Sequence, residues 1–529
     1  MTYRERVHHA LRFPSRLLTA VAAGLCLWLA FPTHDLWWLA PVGVALLGAV
    51  TLRAGGPQGF LLGLVAGVAF FVPTLSWSGV YVGEVPWFAL AGLEALYVGL
   101  QGAVTGFAGR RLAAAGHLRA AYALVPVGWV VQEWARSTTP YGGFPWARLA
   151  FSQADSPLLP VARWLGAPGV TFAVALVGML LLGAVVGLAH GPRLLAPVAL
   201  LLAAAVLLAP LAIHLPTDGR TEAVGFVQGD VPKAGLDFNS QRRAVLDNHV
   251  AGTERLAETA PDDLTLVVWP ENASDIDPLR NIDAAEQVRR ALEAVGTPIV
   301  VGAVLAEPVG ANSNVSLFYT GPGDMDPQRY TKLHPVPFAE YIPHREFFRM
   351  FSSAADLAGN FVAGTTIGVF RVPAPGGEYA ALPTICFEVA YDGLMRDSVA
   401  AAGSTDSLIM VQTNNATFGY TAESEQQFAI SRLRAVEHGR SVVHVSTVGV
   451  SGFVAPDGTV TQKTGLFTAD QRVGRPVLRS ERTPSDRLGE SPQVLAGAVL
   501  LLLVLAGVRD GRRVRVAREL RPTEDHDVA

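Results

Sequence analysis

Up to about residue 216 the chain is a succession of apolar runs separated by short polar or glycine- and proline-bearing links. Beyond that point, short β-rich apolar stretches alternate with charged, helix-period segments until about Gly489. Crossing the hydrocarbon core of a bilayer takes roughly 20 mostly apolar residues, fewer where flanking side chains snorkel or the bilayer thins. On that scale the first part predicts about seven spans, near Leu17 to Phe31, Leu36 to Leu52, Gly59 to Leu75, Pro86 to Phe107, Ala120 to Ala135, Val170 to Leu188 and Leu194 to Leu215. The run Val494 to Val508 predicts one more, so the bundle should hold about eight. The first run, behind Arg12 and Arg16, has the flanks of a signal peptide, but further apolar runs follow almost at once and it reads as a signal anchor within a bundle. The expected organisation is a membrane bundle over 1–216, a water-soluble domain over 217–489, a C-terminal transmembrane helix over 490–508 and a basic tail over 509–529.

Within the soluble part, strands are expected at Ala223 to Gln228, Leu264 to Trp269, Pro298 to Leu305, Val315 to Thr320, Ala380 to Ile385, Ser407 to Gln412 and Ser441 to Thr447. Helical patterns at Ser240 to Thr259, Ala284 to Val295 and Glu425 to Gly439 lie between them, which makes the unit α/β and not all-β. There is no internal repeat, low-complexity tract or phosphate-binding loop.

Composition agrees with the pattern: half of the residues are hydrophobic and only 16% are charged. The net charge of −4 gives no basic field for nucleic acid. Where the arginines fall sets an orientation, because positively charged loops stay cytoplasmic. Arg4, Arg6, Arg12 and Arg16, then Arg53, then Arg110, Arg111 and Arg119, then Arg193 all fall on one side of the expected spans, as does the arginine-rich C-terminal tail. Arg136, Arg148 and Arg163 fall on the other and are outnumbered. With about seven spans before it, the soluble domain is expected outside the cytoplasm, with both termini inside.

The two cysteines, Cys26 in an apolar run and Cys386 far downstream, cannot form a disulfide framework, so Cys386 should be a free thiol. Three reactive side chains sit just after a strand or in a loop, where scaffolds display catalytic groups. Glu271 lies in Trp269-Pro270-Glu271-Asn272, Lys332 in Tyr330-Thr331-Lys332, and Cys386 in Pro383-Thr384-Ile385-Cys386-Phe387-Glu388. This Glu, Lys, Cys order resembles the nitrilase superfamily. Joined to an N-terminal bundle and a C-terminal span, the chain more narrowly resembles the bacterial apolipoprotein N-acyltransferases. Further matching pieces are Phe144-Pro145-Trp146 with Phe151-Ser152-Gln153, Val227-Gln228-Gly229-Asp230-Val231-Pro232, Pro335-Val336-Pro337-Phe338-Ala339-Glu340, Asn414-Asn415-Ala416, and the run from Arg432 to Arg440.

The resemblance implies an αββα sandwich carrying a Glu271, Lys332, Cys386 triad. A thiol must lose its proton before it attacks an ester at neutral pH. Glu271 is the candidate general base, because a carboxylate screened from water has its pKa raised toward the working pH. Lys332, held as a cation, favours the thiolate and stabilises the oxyanion, with the Phe387 N–H as a second donor. The resemblance also brings Glu340 and Glu388 near the site as supporting groups, Glu340 orienting Lys332 or the incoming amine and Glu388 holding the strand end. Trp146, Phe238, Asn415 and Phe418 are the candidate substrate-binding residues. Two departures stand out: the family often has tyrosine where Phe387 stands, and a tryptophan soon after the Gln228 segment, where Phe238 is the candidate replacement wall.

A nitrilase-like domain acting on small soluble amides needs no membrane bundle, so the bundle points to lipid substrates. The resemblance implies a phospholipid donor, typically phosphatidylethanolamine, and the α-amino group of a diacylglyceryl-cysteine at a lipoprotein N-terminus as acceptor, both within membrane lipid, with ping-pong kinetics through a Cys386 thioester. Aromatic loops, Tyr341 to Phe361 and the loop around Phe418 and Tyr420, are expected to shield that thioester from water. No metal spacing and no cofactor fingerprint occurs. Glu94 and Glu133, inside apolar runs, are expected to make neutral hydrogen-bonded helix contacts. The competing readings are a membrane-tethered nitrilase-family amidase that hydrolyses the same thioester, and a transporter with a soluble binding domain, which would carry paired broken helices.

Overall fold

A computed structural model describes residues 13–190, 194–232, 242–324, 326–350 and 359–519. Among the described residues, seven α-helices precede the α/β domain: α1 Phe13–Leu29, α2 Leu39–Thr51, α3 Gly56–Thr74, α4 Glu84–Ala114, α5 Leu118–Arg136, α6 Ala162–His190 and α7 Leu195–Leu208. Five helical segments of the described chain, Gly56–Thr74, Glu84–Ala114, Leu159–Ala189, Leu195–Ala212 and Ser491–Arg513, are long and apolar enough to cross a membrane; α1 and α2 are shorter apolar helices. Their outward faces are apolar, with Leu188, Leu201 and Leu502 all well exposed, as lipid contact requires and water would penalise. Helices α3 and α4 pack backbone to backbone because glycines face each other: a Cβ on Gly59 would lie 2.2 Å from the Gly102 carbonyl oxygen, and one on Gly63 2.4 Å from that of Val98.

Three helices run well beyond the expected spans, the first being α4, which continues past Phe107 to Ala114. Helix α6 begins well before Val170, because a kink at Gly166 (φ +66°) lets its first turn continue into the apolar run. The last helix runs from Ser491 to Glu519, past the expected end at Val508, since the arginine-rich stretch that follows is still a good helix former.

The α/β domain contains β1 Arg220–Thr221, β2 Ala223–Gln228, α8 Arg242–Ala257, β3 Leu264–Val268, α9 Ile282–Val295, β4 Ile299–Leu305, β5 Ser313–Tyr319, β6 Gln328–Thr331, α10 Arg345–Arg349, β7 Phe370–Val372, β8 Tyr379–Ile385, α11 Asp392–Ala401, β9 Ser407–Thr413, α12 Glu423–His438, β10 Val442–Ser446, β11 Gly452–Val454, β12 Val460–Thr461, β13 Asp470–Gly474, β14 Val477–Leu478, α13 Pro484–Leu488 and α14 Ser491–Glu519. Two six-stranded sheets, in the orders β13-β2-β3-β4-β5-β6 and β12-β11-β10-β9-β8-β7, face each other. The core strands β2, β3, β8, β9 and β10 pair in parallel and are buried on both faces, which is why they read as continuous apolar runs.

Residues from both sheets, among them Val224, Phe226, Leu266 and Val268 opposite Ile385, Leu408, Met410 and Val443, fill the space between them. Helices α8 and α9 cover the outer face of the first sheet through Leu246, Val250, Val288 and Leu292. The outer face of the second is covered by α11 and α12, whose other side continues into the bundle core: Ile409, Leu433 and Val436 belong to the same apolar cluster as Trp129, Phe151 and Val170. The result is an αββα sandwich in which one helical layer is shared with the bundle. The strands missed by the sequence pattern, β1, β6, β7 and β11 to β14, are short and mostly at sheet edges, too brief for an alternation to register.

Candidate active site

Glu271, Lys332 and Cys386 leave the ends of β3, β6 and β8 at one end of the sandwich. Strand β3 ends because Pro270 has no N–H to continue the ladder, and the chain turns through Asn272 at φ +55°. That turn lies against β4 so closely that a Cβ on Gly302 would be 2.1 Å from the Pro270 carbonyl oxygen; only glycine allows it. The Thr447 hydroxyl donates to the Glu271 carbonyl at 2.9 Å and fixes the turn from the other sheet.

Strand β8 stops at Cys386, which adopts φ +57° ahead of a 3-10 turn from Cys386 to Ala390. A left-handed conformation at a non-glycine residue costs of order ~1 kcal/mol or more and persists only where the surroundings impose it. Glu388 imposes it here. Its carboxylate accepts from the Ile385 N–H at 2.8 Å and the Tyr330 hydroxyl at 2.8 Å, and from the Leu333 and His334 N–H groups at 2.6 and 3.0 Å. One buried side chain thus binds the nucleophile turn to the segment that carries Lys332.

The Lys332 ammonium donates to the Glu271 carboxylate at 3.1 Å and to Glu340 at 2.9 Å. Asn314 donates to both carboxylates, at 2.6 and 3.1 Å, the Asn414 N–H donates to the second Glu271 oxygen at 2.9 Å, and Glu340 accepts from the Val336 N–H at 2.7 Å. Glu271 and Lys332 are almost fully buried, whereas Cys386 keeps partial exposure. Burial raises the Glu271 pKa, Lys332 opposes the rise and the Glu340 charge adds to it. For Lys332, burial works against the charge, but the carboxylates of Glu271 and Glu340 outweigh it and hold the ammonium well above the ordinary lysine value. Burial, then the Glu271 charge, push the Cys386 thiol up, with Lys332 pulling the other way. The Cys386 thiol thus lies within electrostatic reach of both the Glu271 carboxyl and the Lys332 ammonium.

Phe387 stacks on Phe144 and Trp146 of the α5–α6 loop, with centroids 5.2 and 5.7 Å apart and planes within 22° and 16°. Trp77, after α3, meets Trp146 and Phe418 at 5.6 and 5.0 Å. The indole N–H groups of Trp77 and Trp146 both donate to the Gln426 side-chain oxygen. An aromatic wall from the bundle thus begins one residue after the nucleophile. Asn415 has no side-chain polar atom to spare for a ligand: its amide donates to Glu423 and Gln427 and its oxygen accepts from Ser446. Phe238 lies outside the described residues, as does part of the Tyr341 to Phe361 loop.

Glu94 and Glu133 differ from the sequence expectation of neutral helix contacts. Glu94 is 3.1 Å from Arg136, and Glu133 is 3.6 Å from Arg148 while accepting from Trp129, Leu149 and Thr171. Arg136 ends α5 and Arg148 comes from the loop after it, which folds back into the bundle, a reach that spacing along the chain does not reveal. Sequence reasoning also missed Asn314 and Gln427. Gln427 sits on α12, whose many polar residues mimic a solvent-facing helix although nearly all are buried. Among the described residues no group of three or more His, Cys, Asp or Glu could hold a metal ion.

Residues 23–180 match the apolipoprotein N-acyltransferase N-terminal domain family and residues 224–474 the carbon-nitrogen hydrolase family. Over 92% of its length the chain is 40% identical to a protein named apolipoprotein N-acyltransferase from Mycolicibacterium smegmatis, 85% of which is covered. It is 30% identical over 94% of both chains to one of the same name from Ralstonia nicotianae. A crystal structure of an amidase from Nesterenkonia sp. aligns over 52% of this chain and 95% of its own, at 17% identity and a TM-score of 0.36. From its bundle through its carbon-nitrogen hydrolase domain, the chain belongs to the apolipoprotein N-acyltransferase family.

Proposed function

We propose that the enzyme moves a fatty acyl chain from a phospholipid to the α-amino group of an S-diacylglyceryl-cysteine at a lipoprotein N-terminus, through a thioester on Cys386. The observation that carries this reading is that Lys332, paired with Glu271 and Glu340, interacts electrostatically with Cys386, as Glu271 does, and that the residue after Cys386 stacks against the bundle. In the first half-reaction Glu271 takes the thiol proton and sulfur attacks the ester carbonyl carbon. Lys332 and the Phe387 N–H face the oxyanion. Collapse expels the lysophospholipid alkoxide, which receives the proton from Glu271. In the second half-reaction the amine attacks the thioester carbonyl, Glu271 accepts its proton, and collapse expels the Cys386 thiolate, which Glu271 reprotonates. Glu340 keeps Lys332 charged and aimed, and the aromatic wall gives the acyl chain a dry path from lipid.

In this reading all eight helices α1 to α7 and α14 lie in the cytoplasmic membrane, with the α/β domain on the extracytoplasmic side and both termini inside. The geometry supports that orientation, because Arg136 and Arg148, two of the arginines on the wrong side of the charge pattern, are neutralised in buried ion pairs and do not act as free loop charge. The test is transfer in proteoliposomes. Glu271→Gln, Lys332→Met and Cys386→Ala are each expected to lower transfer from phosphatidylethanolamine to a diacylglyceryl-cysteine peptide by at least about a thousandfold. Release of free fatty acid at the same rate with and without peptide would favour the hydrolase reading instead.

A further inference from the structure

Helix α12 presents Gln427 to Cys386, with its amide nitrogen 3.7 Å from the sulfur. The orientation of that amide is fixed: its oxygen accepts from the Thr413 hydroxyl at 2.8 Å and from the Asn415 amide at 3.1 Å, so the NH2 end is the one that meets sulfur. Asn415 is itself held, its oxygen accepting from Ser446 at 2.5 Å and its amide donating to Glu423 at 2.6 Å. Gly449 allows this, because a Cβ there would be 2.1 Å from the Asn415 oxygen. Five side chains from β9, α12 and β10 and their loops therefore converge to aim one N–H at the reacting atom, and Gln427 is fully buried.

Resting on the thioester reading above, we infer that Gln427 is a catalytic residue whose N–H stabilises the Cys386 thiolate both when it forms for attack and when it leaves in the second half-reaction. A neutral thiol accepts a hydrogen bond weakly and a thiolate strongly, so the contact tightens as charge develops on sulfur. Lys332 has two of its three N–H donors on Glu271 and Glu340, which leaves one for the oxyanion and makes a separate donor to sulfur useful. In the acyl-enzyme the sulfur is a poor acceptor again, and the N–H is in place when the tetrahedral adduct formed by the amine collapses. The Sγ–C bond then breaks with its electron pair on sulfur, against this donor, while the amine's proton has gone to Glu271.

The test uses the full-length protein in detergent and compares wild type with Gln427→Met, which keeps the length and removes the donor, and Gln427→Asn, which withdraws it. The first readout is the pH dependence of Cys386 alkylation by iodoacetamide, which needs no lipid. A hydrogen bond to a charged group corresponds to about a 10- to 100-fold effect. Gln427→Met is expected to move the alkylation midpoint up by about one to two pH units and to lower kcat for transfer by a similar factor with little change in KM. An unchanged alkylation midpoint in a Gln427→Met protein that still unfolds in a cooperative thermal transition overturns the inference. If the midpoint moves but no acyl transfer is seen even in wild type, the thiolate contact stands and the transfer reading fails. To separate packing from chemistry, Gln427→Met is repeated in a Cys386→Ala background. An equal loss of thermal stability in both backgrounds is expected, and a stability loss confined to the cysteine background, with no alkylation shift, would make Gln427 merely structural.

Discussion

The Arg148 guanidinium of the membrane bundle lies 2.7 Å from the Asp392 carboxylate at the start of α11, and Arg434 of α12 reaches the same oxygen at 2.8 Å. Arg434 also donates to the carbonyls of Val389 and Ala390, in the turn that follows Cys386, and pairs with Glu437. The bundle and the turn that follows Cys386 are therefore joined through Arg148, the part-buried Asp392 and Arg434. Burial disfavours the charged Asp392, but Arg148 and Arg434 prevail and hold its carboxyl well below the usual range. Removing one partner of a fully buried pair costs about 3–5 kcal/mol when the other is left uncompensated; Asp392 is part-exposed and keeps Arg434, so the loss here should be smaller. Arg148→Ala is expected to lower the thermal midpoint of the full chain in detergent accordingly, and Arg148→Met with Asp392→Leu to recover part of the loss. An unchanged midpoint in Arg148→Ala would show that the two parts are held together by apolar packing alone.

Acylation should have an acid limb above the ordinary glutamate range. Glu271 accepts the thiol proton only when ionised, and burial raises its pKa. The rate therefore climbs as pH passes through that raised value, above about 4.3. The Glu340 charge adds to the rise, so Glu340→Gln should move the limb to lower pH. Lys332 is held well above its ordinary value and should cause no fall in rate below about pH 10. Single-turnover acylation rates against pH, in wild type and Glu340→Gln, check both shifts.

Glu423 should make stability fall as pH rises. Burial pushes its pKa from 4.5 up to about 8, with the Asn415 amide opposing and the Glu271 charge adding. A carboxyl whose folded pKa exceeds its unfolded one binds its proton more tightly when folded. The advantage is complete below about pH 4.5 and is lost progressively as pH climbs to about 8. Unfolding midpoints between those limits should decline more steeply in wild type than in Glu423→Gln, which carries no titrating proton; parallel curves would contradict the assignment.

Gly302→Ala should damage catalysis from outside the triad. The added methyl would lie 2.1 Å from the Pro270 carbonyl oxygen and 2.8 Å from the Glu271 Cα, so the turn must move. Overpacking of this kind costs about 1–3 kcal/mol, and a displacement near 1 Å of a catalytic group costs about 100-fold in rate. Acylation rate and thermal midpoint should both drop, with the rate the more affected.

Much of this was readable along the chain. The core strands of the sandwich announced themselves because burial on both faces makes them continuous apolar runs, and Glu271, Lys332 and Cys386 stood out because each follows such a strand or lies in a turn. The shared helix α12 did not, since Gln426, Gln427, Ser431, Arg434 and Glu437 look solvent-facing until the bundle closes over them. The same closure turns Arg136 and Arg148 from loop charges into buried partners of Glu94 and Asp392. Asn415, named from a motif as a substrate contact, is occupied by protein partners, a distinction that only the hydrogen bonds reveal.

The central claim is a Cys386 acyl-enzyme between two lipids, and intact mass reads it directly. Purified protein is incubated with a phospholipid labelled in its sn-1 acyl chain, with and without a diacylglyceryl-cysteine peptide, alongside Cys386→Ser. The account predicts a hydroxylamine-sensitive adduct of one acyl mass on wild type that is absent from the variant as a thioester and moves to the peptide amine only when peptide is added. Label that never attaches to Cys386, or that leaves as free fatty acid whatever the acceptor, would contradict it.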